Sequence, residues 1–159
     1  MARMQTRRGN GSGRSAGSVL IAERWFRQPD LAALRAVVMS MAVRSGASID
    51  QGEALVIVAN ELATNAVMHG GGGGRLRLWR GLGSIVCEVV DAGPGIVSPD
   101  LAAARPRPAD LAASGRGLWL VRRITEDVEI ESGPGGARVA ARLVLPPRRA
   151  VPIGGAHRR

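Results

Sequence analysis

The chain has 159 residues, 45% of them hydrophobic but only 3% aromatic, which suits one compact domain with a core of Val, Leu, Ile and Ala. All 22 basic residues are arginine, which excludes a Walker-type P-loop lysine, a Schiff-base lysine and the β3 lysine of a eukaryotic-type kinase. The formal charge of +9 brings nucleic acid to mind, yet eight arginines lie in the two tails and the 14 between them meet 13 acids.

Residues 1–17 are rich in Gly, Ser and Arg and read as a disordered, solvated tail, not a nucleic-acid arm. Residues 18–146 form the expected domain, and 147–159 a second basic tail. A first strand is predicted over Ser18–Phe26. Pro29-Asp30 then starts a helix whose Leu31, Leu34, Val37, Val38 and Met41 recur at helical spacing until Gly46 ends it. A second helix runs from Asp50 to His69 with Leu55, Val58, Ala59, Leu62 and Ala66 as its buried stripe, and the five glycines Gly70–Gly74 terminate it.

Arg75–Arg80 and Ser84–Val90 read as a hairpin turning at Gly81-Leu82-Gly83. Residues 96–114, interrupted by Pro99, Pro106 and Pro108, have little periodicity, and so long a connection in a compact domain points to function. A short helix follows over Gly117–Thr125. Two strands, Val128–Glu131 and Ala137–Leu145, close the chain around Ser132-Gly-Pro-Gly-Gly136. In the last strand Val139, Ala141, Leu143 and Leu145 alternate with Arg138 and Arg142, so one face is buried and the other wet. The pattern is α+β, a two-layer sandwich with helices on one face of a mixed, mostly antiparallel sheet. The single Cys87 excludes an internal disulfide, and no apolar run approaches the ~20 residues that span a bilayer. A soluble, cytoplasmic protein without membrane contact is expected.

Three segments carry chemistry. Glu61 and Asn65 project from one face of the second helix, a turn apart, at the edge of its apolar stripe. A carboxylate there can activate a nucleophile and an amide oxygen can ligate Mg²⁺, although the same pair also suits a solvated helix face. His69 equally suits the C-terminal end of the helix dipole. Asp91 ends an apolar strand and is followed by Gly93 and Gly95, which permit close backbone approach; alone, this is also an ordinary turn. Ser114-Gly115-Arg116-Gly117 opens a helix, whose freed N–H groups suit phosphate, with Arg116 as a fixed positive charge. Trp119 is expected in the core, and Cys87 as a buried strand residue without a catalytic role.

Together, Glu61-Leu-x-Thr-Asn65-Ala-x-x-His69-Gly70, Asp91-x-Gly93-x-Gly95 and Gly115-Arg116-Gly117-Leu118-x-Leu-Val resemble the N, G1 and G2 boxes of the GHKL (Bergerat) ATPases, which include gyrase, heat-shock chaperones and histidine kinases. The resemblance spans roughly residues 19–146. A short spacing between the first two boxes and a brief lid look like the bacterial anti-sigma factor serine-protein kinases. The resemblance then implies ATP and Mg²⁺ as cofactors, with Glu61 as the general base and Asn65 as the metal ligand. It implies Asp91 as reader of the adenine amine and residues 96–114 as the lid. Gly93 and Gly95 would shape the base pocket, while Gly115, Arg116 and Gly117 would meet the phosphates. His69 and Leu118 complete the implied nucleotide-contacting set. The implied partners are a sigma factor and a small antagonist protein phosphorylated on serine or threonine, with homodimerisation. The alternative is a nucleotide-gated protein-binding module with little or no transfer. Nucleic acid enters only through the arginine tails. One departure from the family pattern is Ala137, where a threonine commonly supports the adenine contact; losing that hydrogen bond costs about 0.5–1.5 kcal/mol.

Overall fold

A computed structural model describes residues 17–96 and 116–147. The chain opens with strand β1 (Val19–Arg27), then a 3-10 turn over Gln28–Asp30 and helix α1 (Leu31–Arg44). The Asp30 carboxylate accepts the Arg27 backbone N–H at 2.8 Å, tying the strand end to the turn. Helix α2 (Ile49–His69) begins at a capping box one residue earlier than its sequence signal. The Ser48 hydroxyl accepts the Gln51 N–H at 3.2 Å and the Gln51 side chain accepts the Ser48 N–H at 2.7 Å, an arrangement worth about 1 kcal/mol.

Strands β2 (Gly73–Gly81) and β3 (Ser84–Val90) follow as the expected hairpin. The glycine run stops α2 at Gly70, but its last two members already belong to β2, where Gly73 and Gly74 pair with Arg27 and Phe26. A Cβ on Gly73 would strike the Phe26 carbonyl, so the close approach of these strands requires the missing side chain. Helix α3 (Arg116–Ile124) leads to β4 (Asp127–Gly133), longer than predicted, and β5 (Gly136–Val144). Ser132 and Gly133 are paired with Ala137 and Gly136, so the second hairpin turns on Pro134-Gly135 alone.

The sheet order is β1-β2-β3-β5-β4, and every pairing is antiparallel, so the mostly antiparallel sheet has no parallel member. The crossover from β3 to β4 places β5 beside β3 and β4 at the edge. Leu76, Leu78, Ile85, Cys87, Val89, Val139, Ala141 and Leu143 face the helices. Against them pack Leu34 and Val38 of α1, Leu55, Val58, Ala59, Leu62 and Ala66 of α2, and Leu118 and Val121 of α3. The predicted α2 stripe is buried in full. Among the described residues no helix is long and apolar enough to cross a membrane.

The opposite face of the sheet is built from charge. Glu88 is fully buried there, with Arg77 of β2 at 2.5 Å from one carboxylate oxygen and Arg138 of β5 at 2.6 Å from the other. Arg138 also reaches Glu131 at 3.3 Å and Glu129 at 3.5 Å. Burial lowers the Arg138 pKa, but its hydrogen bond to Glu88 and the surrounding carboxylates more than offset this and raise it above the ordinary arginine value.

Candidate functional site

The C-terminal half of α2, the end of β3 and the start of α3 converge on the helix side of the sheet. Asp91 is the first residue past β3, and its backbone is fixed from β5: its N–H donates to the Ala137 carbonyl at 2.9 Å. Its side chain turns toward the chain's own amides. Oδ1 accepts the Gly93 N–H at 3.0 Å and the Ala137 N–H at 3.2 Å, while Oδ2 has no hydrogen-bond partner among the described residues. The carboxylate is thus oriented by two amides and keeps one oxygen for a ligand.

The end of α2 sits directly over this group. A Cβ on Gly70 would lie 2.5 Å from the Asp91 carboxyl carbon, and one on Gly93 would lie 2.5 Å from the Gly70 Cα. Any larger residue at either position would push the helix end off the carboxylate. The first two motifs are therefore one packed unit. His69 is exposed at this junction, and its carbonyl faces Gly93.

The third motif meets the first. Gly117 is buried in the first turn of α3, and a Cβ there would stand 2.7 Å from Glu61 Oε2 and 3.6 Å from both amide atoms of Asn65. The first described turn of α3 lies against the carboxylate and the amide of α2. Glu61 and Asn65 are both half-buried, and Glu61 has no cationic partner among the described residues. Beside Glu61 opens a groove of about 280 Å³, lined also by Arg35, Val56, Ile57 and Asn60; the Arg35 guanidinium donates to the Asn60 side-chain oxygen at 3.0 Å.

Of the expected site residues, Glu61, Asn65, Asp91, Gly93 and Gly117 come together as the motifs imply. Gly95 continues the loop from Asp91. Arg116 is exposed as the first residue of α3. The Leu118 side chain is committed to the core. Gly115 and the expected lid, residues 96–114, lie outside the described residues apart from Ile96, as do both tails apart from Gly17 and Pro147. Trp119 departs from expectation: it is half-buried outside the core, with the Arg123 guanidinium 5.4 Å from its ring centre. Cys87 is buried and its thiol is pushed up to about 12 by burial and by neighbouring Glu88, so it carries no reactive thiolate at neutral pH.

Two residues of the site escaped sequence reading. Ser132 bonds to Ile96 across 36 positions, and Arg35 reaches Asn60 across 25. Neither lies in a motif, and only the folded topology brings each to its partner.

Residues 25–143 match the family model described as "Histidine kinase-like ATPase domain". Among solved structures, the chain is similar to the histidine kinase domain of the Erythrobacter litoralis EL346 blue-light activated histidine kinase. The two share 18% identity over 82% of this chain and 69% of that one, with a TM-score of 0.48. No curated protein matches the chain.

Proposed function

The chain belongs to the histidine kinase-like ATPase domain family, an ATP-binding fold, and on that premise we propose that it transfers the γ-phosphoryl group of ATP to a serine or threonine of a small antagonist protein. In this reading it alternates between that protein and a sigma factor and so controls transcription in the cytoplasm. The observation that carries the proposal is the contact of Gly117 with Glu61 and Asn65. In this reading Glu61 is the base, Asn65 the metal ligand and the turn at Gly117 the phosphate site, and the closeness of the three supports it.

The residues present fit the nucleotide. Asp91 Oδ2 is open to the adenine amine, and Gly93 and Gly95 let the base approach the backbone. The N–H groups of Gly117 and Leu118, with Arg116, receive phosphate. In this reading Asn65 would be the protein's own oxygen ligand to Mg²⁺, an ion that commonly keeps phosphate and water oxygens in its shell.

Bound ATP supplies the group to be transferred. Glu61 accepts the proton of the incoming hydroxyl, and the groove beside it, walled by Arg35, Val56, Ile57 and Asn60, gives a protein segment access to that carboxylate. Asn65 and the start of α3 hold the reacting groups in line, which is most of what phosphoryl transfer asks of a protein.

Glu61→Ala tests the reading. Mg·ATP affinity should stay within about twofold of the parent while transfer to the antagonist falls by about 10²–10⁴-fold. Undiminished transfer would remove Glu61 from the role of base.

A further inference from the structure

The tip of the β4–β5 hairpin holds the segment from Asp91 to Ile96 at two points. At the first end Ala137 exchanges two backbone hydrogen bonds with Asp91, one to its carboxylate and one from its N–H. At the other end the Ser132 hydroxyl accepts the Ile96 N–H at 2.6 Å, the shortest side-chain contact to this loop among the described residues. Between them, Gly95 takes the left-handed conformation with φ +87°. A Cβ on Gly95 would stand 2.8 Å from Ser132 Oγ and would also strike the Gly133 carbonyl. The loop therefore lies flat on the hairpin tip, with Ile96 packed partly against the core.

We propose that Ser132 is a positioning residue for the base pocket: by holding Ile96 it fixes the left-handed turn at Gly95, and through that turn the wall that faces the adenine. Ser132 touches no nucleotide in this account. It stands near the position of the hydrogen-bonding threonine that Ala137 lacks, but it acts on the opposite end of the loop. Ser132 is exposed as a residue and lies outside the hydrophobic core, so the folded core does not depend on its hydroxyl.

The inference rests on the ATP-site reading, and the test separates the two. Mg·ADP affinity is measured by calorimetry on the full chain, on Ser132→Ala and on Ser132→Thr, which keeps the hydroxyl, alongside the melting temperature of each without nucleotide. The expected result is a three- to tenfold loss for Ser132→Ala, recovery to within about twofold for Ser132→Thr, and melting temperatures within about 2 °C of one another. Parent protein that binds Mg·ADP while Ser132→Ala binds it equally well overturns the positioning role alone. A lowered melting temperature with unchanged affinity assigns Ser132 to structure and overturns it too. Parent protein that does not bind Mg·ADP overturns the site itself.

Discussion

Glu88 and Asp91 lie three positions apart at the end of one strand, and the fold treats them in opposite ways. Glu88 faces away from the helices, is fully buried and is neutralised by Arg77 and Arg138. Asp91 faces the helices, is held by two backbone amides and has no arginine beside it among the described residues. Glu61 on α2 likewise has no ion-pair partner among the described residues, although Arg35 lines the groove beside it. The sheet's outer face spends its charges on itself; the cleft leaves its carboxylates available. An acid that is well oriented but not neutralised is the electrostatic mark of a binding site.

The contrast can be broken first on the outer face. Glu88→Ala removes the buried carboxylate shared by Arg77 and Arg138, leaves Arg138 only the more exposed Glu129 and Glu131, and should lower unfolding free energy by about 3–5 kcal/mol, read by urea denaturation. Mg·ATP affinity of the folded variant should stay within about twofold. A matching collapse of affinity would mean that the two faces are coupled and the contrast is false.

Gly117→Ala acts on the cleft. Alanine is the better helix former by about 1 kcal/mol, but its methyl would stand 2.7 Å from Glu61 Oε2. Overpacking of this kind costs about 1–3 kcal/mol, so the clash should win. We expect reduced stability together with at least about tenfold weaker Mg·ATP binding by calorimetry. A more stable variant with parental affinity would show that the helix start does not press on Glu61.

Ala137→Thr should have the smallest effect. Its backbone already serves Asp91, and a hydroxyl there adds one hydrogen bond on the adenine side, strengthening Mg·ATP binding by about 0.5–1.5 kcal/mol. Unchanged affinity would separate residue 137 from the base pocket.

How much of this was legible in sequence follows the range of the interactions. Glu61 and Asn65 fall on one helix face by spacing alone, and Asp91 falls at a strand end because an apolar run stops there. The buried stripe of α2 and the alternation of β5 are local patterns of the same kind. The Arg77–Glu88–Arg138 cluster was not legible, because it requires β5 to cross over and lie beside β3. The start of β2 inside the glycine run depends on pairing with Phe26 and Arg27, a long-range contact that outweighs glycine's poor strand propensity. Trp119, expected in the core, lies outside it, where Arg123, one helical turn on, stands over its ring.

In the proposed function Asp91 presents its second carboxylate oxygen to the adenine amine. Asp91→Asn tests it most directly, since asparagine keeps the oxygen that accepts the Gly93 and Ala137 amides and replaces the other with a donor. Calorimetry with Mg·ATP should give binding for the parent chain and a loss of about 100-fold or more for the variant, at an unchanged melting temperature. Equal affinity for the two would contradict the account and move the nucleotide away from Asp91.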